Sequence, residues 1–297
     1  MLNYFDTPVI EIRSKEAENA GVKILVKRED LNHPIVSGNK WWKLRYNLEQ
    51  AENFENRTIL TFGGAYSNHI YASAGAAKEL NLKSIGVIRG EEILPLNYTL
   101  AFAKDRGMKL HFVSREDYRK KTEEDFIKNL KERFGEFYLI PEGGSNALAV
   151  KGCAEFAREK LSSIDFDYLC LPVGTGGTTA GIIDGLEGKK KVVGFSVLKD
   201  GDFLNEEIRK LTRRHYLNWR IQTEYHFGGY AKRTPELDQF IDRMKQEYNL
   251  DLDPIYTGKM VAGVFDLISK KYFSVGSTIL LLHTGGLQAG RNKSDTF

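Results

Sequence analysis

Residues 37–44 read Ser-Gly-Asn-Lys-Trp-Trp-Lys-Leu, and they place Lys40 and Lys43 at the start of an amphipathic helix. Positions three apart on a helix share a face, so both ammonium groups point the same way, near the positive end of the helix dipole. Such a pair suits an anionic ligand, and crowding lowers the pKa of each amine. A neutral lysine amine is what a Schiff base requires. The alternative interpretation is the solvated, basic start of an ordinary surface helix.

The composition of the chain is typical of a soluble globular protein. Of its 297 residues, 41% are hydrophobic and 28% are charged, which suits one large or two ordinary domains. The net charge of +3 is too small to favour nucleic acid or an anionic membrane as a partner. The N-terminus lacks a signal pattern and no apolar run approaches the ~20 residues of a membrane span, so we expect a cytoplasmic protein. Cys153 and Cys170 lie in apolar stretches and are interpreted as buried free thiols.

On either side of the lysines, strand-like and helix-like segments alternate along the chain. The predicted strands cover residues 22–27, 58–62, 83–88, 109–113, 137–140, 167–171, 192–197 and 277–282. Helical segments of ten or more residues separate them, which is the pattern of parallel sheets covered by helices on both faces. Glycine-rich segments follow several strands, and open α/β sheets bind ligands at those strand ends. We therefore predict an α/β fold with its site at the carboxyl ends of the strands.

A glycine-rich turn at residues 174–179 is a candidate phosphate site. It reads Gly-Thr-Gly-Gly-Thr-Thr and lies between a predicted strand and a predicted helix. It lacks the third glycine of the dinucleotide fingerprint and the lysine of a P-loop. Its free backbone amides, its hydroxyls and the helix N-terminus suit a phosphate, and a phosphomonoester fits better than a pyrophosphate. A tight turn without a ligand is an equally good interpretation.

A second turn of this kind holds Ser67, Asn68 and His69 after Gly63-Gly64. Ser and Asn are common N-caps, so a plain helix cap is one interpretation. The other is that the paired glycines let a ligand approach the backbone, with Ser67 carrying a proton or donating to a carboxylate. His69 is either a stacking group or a residue on the helix surface. No second histidine stands at metal-ligand spacing and no Gly-x-Ser-x-Gly elbow occurs, which argues against a zinc site and a serine hydrolase.

Two tyrosines lie in turns of the last third of the chain. Tyr256 belongs to Asp-Pro-Ile-Tyr-Thr-Gly-Lys at residues 253–259, and Tyr230 follows Gly228-Gly229. Tyrosine in such a turn is more often packed than catalytic, so neither residue indicates a function by itself.

In combination, these motifs occur in the same order in a known family of enzymes. The motifs are Lys27-Arg28-Glu29-Asp30, Gly38-Asn39-Lys40 with Lys43-Leu44, Gly63-Gly64 with Ser67-Asn68, Gly174-Thr175-Gly176, Asp253-Pro254-Ile255-Tyr256 with Gly258-Lys259, and Gly285-Gly286. The chain resembles the 1-aminocyclopropane-1-carboxylate deaminase and D-cysteine desulfhydrase family, which are pyridoxal-phosphate enzymes of the tryptophan-synthase β-subunit fold. The resemblance spans nearly the whole chain, and the order and spacing of the motifs make it specific.

The resemblance implies a role for each matching position. Lys40 forms the Schiff base with pyridoxal 5'-phosphate, and Ser67 faces the substrate carboxylate or the transferred proton. The implied catalytic residues are Lys40, Ser67, Tyr256 and Tyr230. The implied cofactor-binding residues are Lys40, Lys43, Asn68, Gly174, Thr175, Gly176, Gly177, Thr178, Tyr256 and Thr284. The implied substrate-binding residues are Ser67, Asn68, His69 and Thr257, and no metal is expected.

Three departures from the family pattern bear on the substrate. Trp41-Trp42 replaces the usual Thr-Arg between the lysines, and the chain is shorter than typical members. The deaminases carry Glu after the Tyr of Asp-Pro-x-Tyr and Leu before the final Gly-Gly, where this chain has Thr257 and Thr284. A Glu keeps the pyridine nitrogen of the cofactor protonated better than a hydroxyl does. Because a cyclopropane without an α-hydrogen needs the stronger electron sink, the threonine pair resembles the desulfhydrases.

By this resemblance we expect fold type II with two domains. Residues 1–42 and 148–297 form the larger cofactor domain, and residues 43–147 form a smaller inserted α/β domain. The first functional hypothesis is β-elimination from a small amino acid such as D-cysteine, giving pyruvate, ammonia and sulfide. The second is 1-aminocyclopropane-1-carboxylate deamination, and the third is a non-catalytic α/β nucleotide-binding protein. We expect a homodimer with a small amino-acid substrate, and neither nucleic acid nor membrane as a partner.

Overall fold

The structure is a computed structural model that describes residues 2–290, and these residues are organised around two β-sheets. The strands are β1 (Val9–Ile12), β2 (Lys23–Lys27), β3 (Thr58–Gly64), β4 (Lys83–Arg89), β5 (Lys109–Val113), β6 (Tyr138–Ile140), β7 (Tyr168–Val173), β8 (Lys191–Ser196), β9 (Trp219–Gln222) and β10 (Thr278–Leu282). The helices are α1 (Lys15–Ala20), α2 (Asn39–Glu52), α3 (Asn68–Glu79), α4 (Tyr98–Asp105), α5 (Arg115–Arg119), α6 (Glu124–Phe134), α7 (Ala147–Phe156), α8 (Gly177–Leu186), α9 (Leu204–Leu211), α10 (Pro235–Tyr248) and α11 (Thr257–Ser269).

The larger sheet joins the two ends of the chain. Its strand order is β1-β2-β10-β7-β8-β9, and Lys23 of β2 pairs with Thr278 of β10 in parallel. The other neighbours are also parallel except β1, which pairs with β2 in antiparallel fashion. The parallel α/β architecture predicted from the sequence is therefore confirmed, with two edge strands, the antiparallel β1 and the parallel β9, that were not predicted.

The smaller sheet has the order β5-β4-β3-β6 and is parallel throughout. Its strands fall between Thr58 and Ile140, inside the segment 43–147. Every residue of β3 is buried, as expected for the central strand of a covered parallel sheet. We propose that residues 43–147 are the smaller domain, with the larger domain formed by residues 1–42 and 148–297.

Helix α2 is fixed by the two tryptophans between its lysines. Both Trp41 and Trp42 are buried, and the indole N–H of Trp42 donates to Glu29 at 2.9 Å. The indole N–H of Trp41 donates to the carbonyl of Asn3 at 2.8 Å, and Trp42 packs on Phe156 with ring centres 5.3 Å apart. Because these side chains anchor one face of α2 in the core, its lysine face is held toward the strand ends.

The expectation that both cysteines are buried free thiols is confirmed as well. Cys153 and Cys170 are free and buried. Among residues 2–290, no helix is long and apolar enough to cross a membrane, and no group of metal-ligating side chains is present. The homodimer stays a prediction.

Candidate active site

A cavity of about 520 Å³ lies where the carboxyl ends of several parallel strands meet helix α2. The candidate residues that line it are Lys40, Lys43, Ser67, His69, Gly174, Thr175, Gly176, Thr178, Tyr230 and Tyr256. Those that do not line it are Asn68, Gly177, Thr257 and Thr284. Strand ends of this kind are where α/β sheets bind ligands, and the volume is that of an ordinary small-molecule site.

The turn before helix α2 presents Lys40 to the cavity. Gly38 has φ 68°, and a Cβ at this position would lie 1.9 Å from the carbonyl oxygen of Thr284, so only glycine fits. The ammonium of Lys40 donates to the side-chain oxygen of Asn39 at 2.9 Å, and Asn39 in turn donates to Thr178 at 2.8 Å. Burial lowers the pKa of Lys40 to about 8. A neutral, nucleophilic amine is therefore accessible close to neutral pH.

Lys43 lies one turn further along α2, on the same face as Lys40. Its ammonium donates to the hydroxyl of Ser145 at 2.9 Å and lies 3.2 Å from the position that a Cβ on Gly177 would occupy. Gly177 opens helix α8, so an ammonium and a helix N-terminus meet at one point. Burial and the neighbouring Lys40 lower the pKa of Lys43 to about 7. Two positive groups held together in this way fit a phosphate.

His69 is buried rather than on the helix surface, with 2% of its area exposed. Thr61 donates its hydroxyl proton to the carbonyl of Ile140 at 2.8 Å, so at 2.7 Å it accepts from Nε2 of His69. The other ring nitrogen, Nδ1, is then unprotonated, and it has no partner among the described residues. Burial and the cations of Lys43 and Lys40 lower the pKa of His69 well below its usual value, so the ring is neutral.

Ser67 caps a helix beside the cavity, and its role toward a carboxylate or a proton stays a prediction. It is the N-cap of helix α3, where its hydroxyl accepts from the backbone N–H of Ile70 at 3.3 Å, and it also lines the cavity. The neighbouring Asn68 is turned toward the C-terminal loop, where its side-chain oxygen accepts from Gln288 at 2.5 Å. Asn68 therefore lies beside the cavity, and its role toward the cofactor stays a prediction.

Tyr230 and Tyr256 meet in the cavity with their ring centres 6.1 Å apart. Burial raises the pKa of Tyr230, and burial together with Tyr230 raises the pKa of Tyr256 well above its usual value. Both phenols are therefore neutral donors. The fully buried Lys259 secures the loop before Tyr230, because its ammonium donates to the carbonyls of His226 and Gly229 at 2.8 and 2.7 Å.

Thr257 and Thr284, on which the expected choice of substrate depends, are buried next to the cavity. The hydroxyl of Thr257 donates to the carboxylate of Asp253 at 2.7 Å and accepts from the backbone N–H of Asp253 at 2.9 Å. Thr284 contributes its backbone carbonyl to the turn at Gly38, accepting from the N–H of Asn39 at 3.4 Å. Contacts of either threonine with the ring of the cofactor stay predictions.

Several residues in or next to the cavity were not singled out from the sequence. Ser145 bonds both Lys43 and, at 2.6 Å, the hydroxyl of Thr175. Arg89 and Glu142 line the cavity from the ends of β4 and β6. The position of each after a predicted strand was the available signal, since the carboxyl ends of parallel strands converge.

The chain matches one family of proteins along most of its length. Residues 1–285 match the family model described as "Pyridoxal-phosphate dependent enzyme". The chain belongs to this family. A solved structure described as an ACC deaminase homologue superposes with a TM-score of 0.79 and 29% identity, covering 96% of this chain and 90% of that one. The fold is therefore fold type II of the pyridoxal-phosphate enzymes.

Several relatives of this pyridoxal-phosphate enzyme carry names that specify an activity, mostly 1-aminocyclopropane-1-carboxylate deaminase. The bifunctional mitochondrial D-cysteine desulfhydrase/1-aminocyclopropane-1-carboxylate deaminase of Arabidopsis thaliana is 33% identical over 301 residues, covering 93% of this chain and 75% of that protein. The 1-aminocyclopropane-1-carboxylate deaminase of a Bradyrhizobium species is 27% identical over 328 residues, covering 100% of this chain and 96% of that protein. The family match favours an enzyme over the non-catalytic nucleotide-binding protein.

The residues of the cavity fit pyridoxal 5'-phosphate. Lys43 and the N-terminus of α8 supply positive charge for its phosphate, and Lys40 supplies the amine for its aldehyde. Nδ1 of His69 and the hydroxyl of Thr179 are buried polar atoms without a partner among the described residues, and both residues line the cavity. Buried polar atoms of this kind call for a polar ligand.

We expect the apoprotein to gain stability between pH 7 and pH 8 because of Lys43. Its pKa is about 7 in the folded chain and about 10.5 in the unfolded chain, so above pH 7 the unfolded state binds more protons. Stability then rises with pH by up to ~1.4 kcal/mol per unit for one group. Urea unfolding of the apoprotein at several pH values should show this slope in the unchanged chain and a smaller one in Lys43→Met. Lys128→Met, at an exposed site on α6, should keep the full slope.

Proposed function

We propose that this enzyme catalyses β-elimination from a small amino acid, with D-cysteine as the first candidate. The observation that carries the proposal is the meeting of Lys40, Lys43 and Ser67 in one cavity, with the pKa of both lysines lowered. That set supplies a phosphate site, an amine able to take a proton near neutral pH, and a hydroxyl at a helix N-terminus for a carboxylate.

Each of the side chains in the cavity has a separate role in this reaction. When bound, pyridoxal phosphate supplies the electron sink that acidifies the α-hydrogen of the substrate. Lys43 and the N-terminus of α8 hold the phosphate, and Ser67 orients the substrate carboxylate. The amine of Lys40 takes the α-proton. Sulfur would leave with the electron pair of the Cβ–S bond, and reaction with water would then give pyruvate and ammonia.

The threonines favour elimination over opening of a cyclopropane. Thr257 stands where the deaminases carry Glu, and its hydroxyl already bonds Asp253. The carboxylates that line the cavity, Glu142 and Glu207, lie within 3.4 and 2.8 Å of Lys121 and Lys210. Without a free carboxylate beside its ring nitrogen, the cofactor would be a weaker electron sink. A weaker electron sink suffices for a substrate with an α-hydrogen and a thiolate leaving group.

Cyclopropane deamination is the second candidate, because it is the activity named for the Bradyrhizobium relative. The holoenzyme should be assayed with D-cysteine, L-cysteine and 1-aminocyclopropane-1-carboxylate, and the keto acids identified as pyruvate or 2-oxobutanoate. We expect kcat/KM for D-cysteine to exceed that for the cyclopropane by at least about tenfold. A larger kcat/KM for the cyclopropane would overturn the proposed order of substrates.

A second prediction separates the two roles of Ser67. Ser67→Ala removes a helix cap, which costs ~1 kcal/mol, and it should also lower kcat/KM for D-cysteine by about 10–100-fold, because it removes the hydroxyl that orients the substrate carboxylate. Ser14→Ala is the matched control, because Ser14 is a buried N-cap of α1 that accepts from Ala17 at 3.1 Å away from the cavity. Equal turnover of the two variants would show that Ser67 is a cap alone.

A further inference from the structure

Arg89 is a cation of the cavity that the reaction above does not use. It ends strand β4 and lines the cavity from the smaller sheet, with its side chain exposed. One guanidinium nitrogen lies 3.5 Å from the position that a Cβ on Gly64 would occupy. Gly64 lies three residues before Ser67, so the guanidinium lies along the strand that leads to the proposed carboxylate site.

The guanidinium of Arg89 is supported by an aromatic ring. Its central carbon lies 5.7 Å from the ring centre of Tyr118, and the ammonium of Lys121 lies 5.0 Å from the same centre. Tyr118 is 2% exposed and packs edge-on against Phe62 of β3, so the support is rigid. A cation held against a fixed ring loses little freedom when it binds an anion.

The two glutamates that line the cavity pair with lysines and not with Arg89. Glu142 lies 3.4 Å from Lys121, and Glu207 lies 2.8 Å from Lys210. Among residues 2–290, no carboxylate lies within ion-pair distance of the Arg89 guanidinium. The other cavity lysines, Lys40 and Lys43, are assigned to the cofactor. Arginine is also the side chain best suited to a planar carboxylate.

We propose that Arg89 determines specificity by binding a second carboxylate, at the far end of the substrate side chain. The inference rests on the proposed elimination and extends its substrates beyond D-cysteine to acidic amino acids, in particular S-(carboxyalkyl)cysteines. The Cβ–S bond breaks as before, and sulfur leaves with the electron pair as a carboxyalkyl thiolate. Water then releases pyruvate and ammonia, so the step needs no oxidant or reductant.

The test compares two substrates that differ in one charge. S-Carboxymethyl-D-cysteine carries the second carboxylate, and S-carbamoylmethyl-D-cysteine is its neutral amide; both L-enantiomers are assayed beside them. We expect the holoenzyme to prefer the acid by about tenfold in kcat/KM, mainly through KM. Arg89→Met should reduce the ratio to about one. Lys121→Met, which removes a cation already paired with Glu142, should keep the preference for the acid.

A binding measurement keeps the inference separate from the elimination. The probes are 2-aminoadipate and its 6-amide, which replace the sulfur by a methylene and have no leaving group. Calorimetry on the holoenzyme should show tighter binding of the acid by about tenfold, and this difference should disappear in Arg89→Met. If this difference in binding is found but the enzyme turns over none of the cysteine substrates, the proposed elimination is wrong and the role of Arg89 is supported.

Three results would overturn the role of Arg89. One is equal binding of acid and amide by the unchanged enzyme. Another is an Arg89→Met variant that weakens both probes by the same factor, because Arg89 would then bind the α-carboxylate. The last is a Lys121→Met variant that loses the preference for the acid as completely as Arg89→Met does. The preference would then come from the overall positive charge of the cavity and not from Arg89.

Discussion

Lys40→Ala is expected to lower the turnover of D-cysteine by at least about 10⁴-fold. A positioned general base alone contributes up to ~10⁴, and Lys40 is also the proposed covalent attachment point of the cofactor. The variant should keep its fold, because the side chain lines a cavity and its ammonium bonds the adjacent Asn39. Steady-state kinetics and far-UV circular dichroism measure the two effects.

Attachment can be tested independently of turnover. Borohydride reduction of the holoenzyme, followed by peptide mapping, should label Lys40 and leave Lys43 unlabelled. The unchanged enzyme should be yellow, and Lys40→Ala should lose the absorbance of the linked cofactor. A label on Lys43, or full turnover by Lys40→Ala, would contradict the assignment.

The largest effect on stability is expected from Asp253→Ala. The carboxylate of Asp253 is 1% exposed and accepts from the backbone N–H groups of Ile255, Tyr256 and Thr257 at 2.8–3.0 Å, and from the hydroxyl of Thr257. Burial raises its pKa, while these donors favour the anion. Its removal leaves several buried donors unpaired at the start of α11, so we expect a loss of about 4 kcal/mol in the free energy of unfolding.

Urea unfolding of the apoprotein measures this loss as a lower midpoint at constant m-value. Asp253→Asn is the matched control, because one acceptor oxygen remains and the loss should be roughly half as large. Thr257→Val removes the hydroxyl alone and should cost ~1–2 kcal/mol. A loss below ~1 kcal/mol in Asp253→Ala would show that the turn at residues 253–257 does not depend on its carboxylate.

Much of the fold was predictable because it follows from hydrophobic patterns within short stretches of the sequence. The apolar runs at 58–62 and 167–171 became the buried strands β3 and β7. Strands β1 and β9 were not predicted, since their pairing with β2 and β8 arises from contacts between segments and not from a strong local pattern. The shared face of Lys40 and Lys43 was predictable from helical spacing, and both residues line the cavity.

The other parts of the site depend on contacts between residues that are far apart in the sequence. Ser145 is separated from Lys43 by 102 residues, and no local pattern relates them. The burial of His69 could not be predicted from the sequence either, because it depends on Thr61 and Ile140 of neighbouring strands. The bond from the hydroxyl of Thr257 to Asp253 was likewise not predicted, and the contact of Thr257 with the substrate stays a prediction.

The sequence by itself determined the parallel α/β class, the lysine helix and the order of the glycine turns. These features follow from periodicity and backbone freedom, which act over a few residues. Only the tertiary structure decided which side chains share the cavity, which carboxylates are already paired, and that Arg89 has none among the described residues. Those properties arise where strands distant in sequence end side by side, and burial there sets the pKa of each lysine.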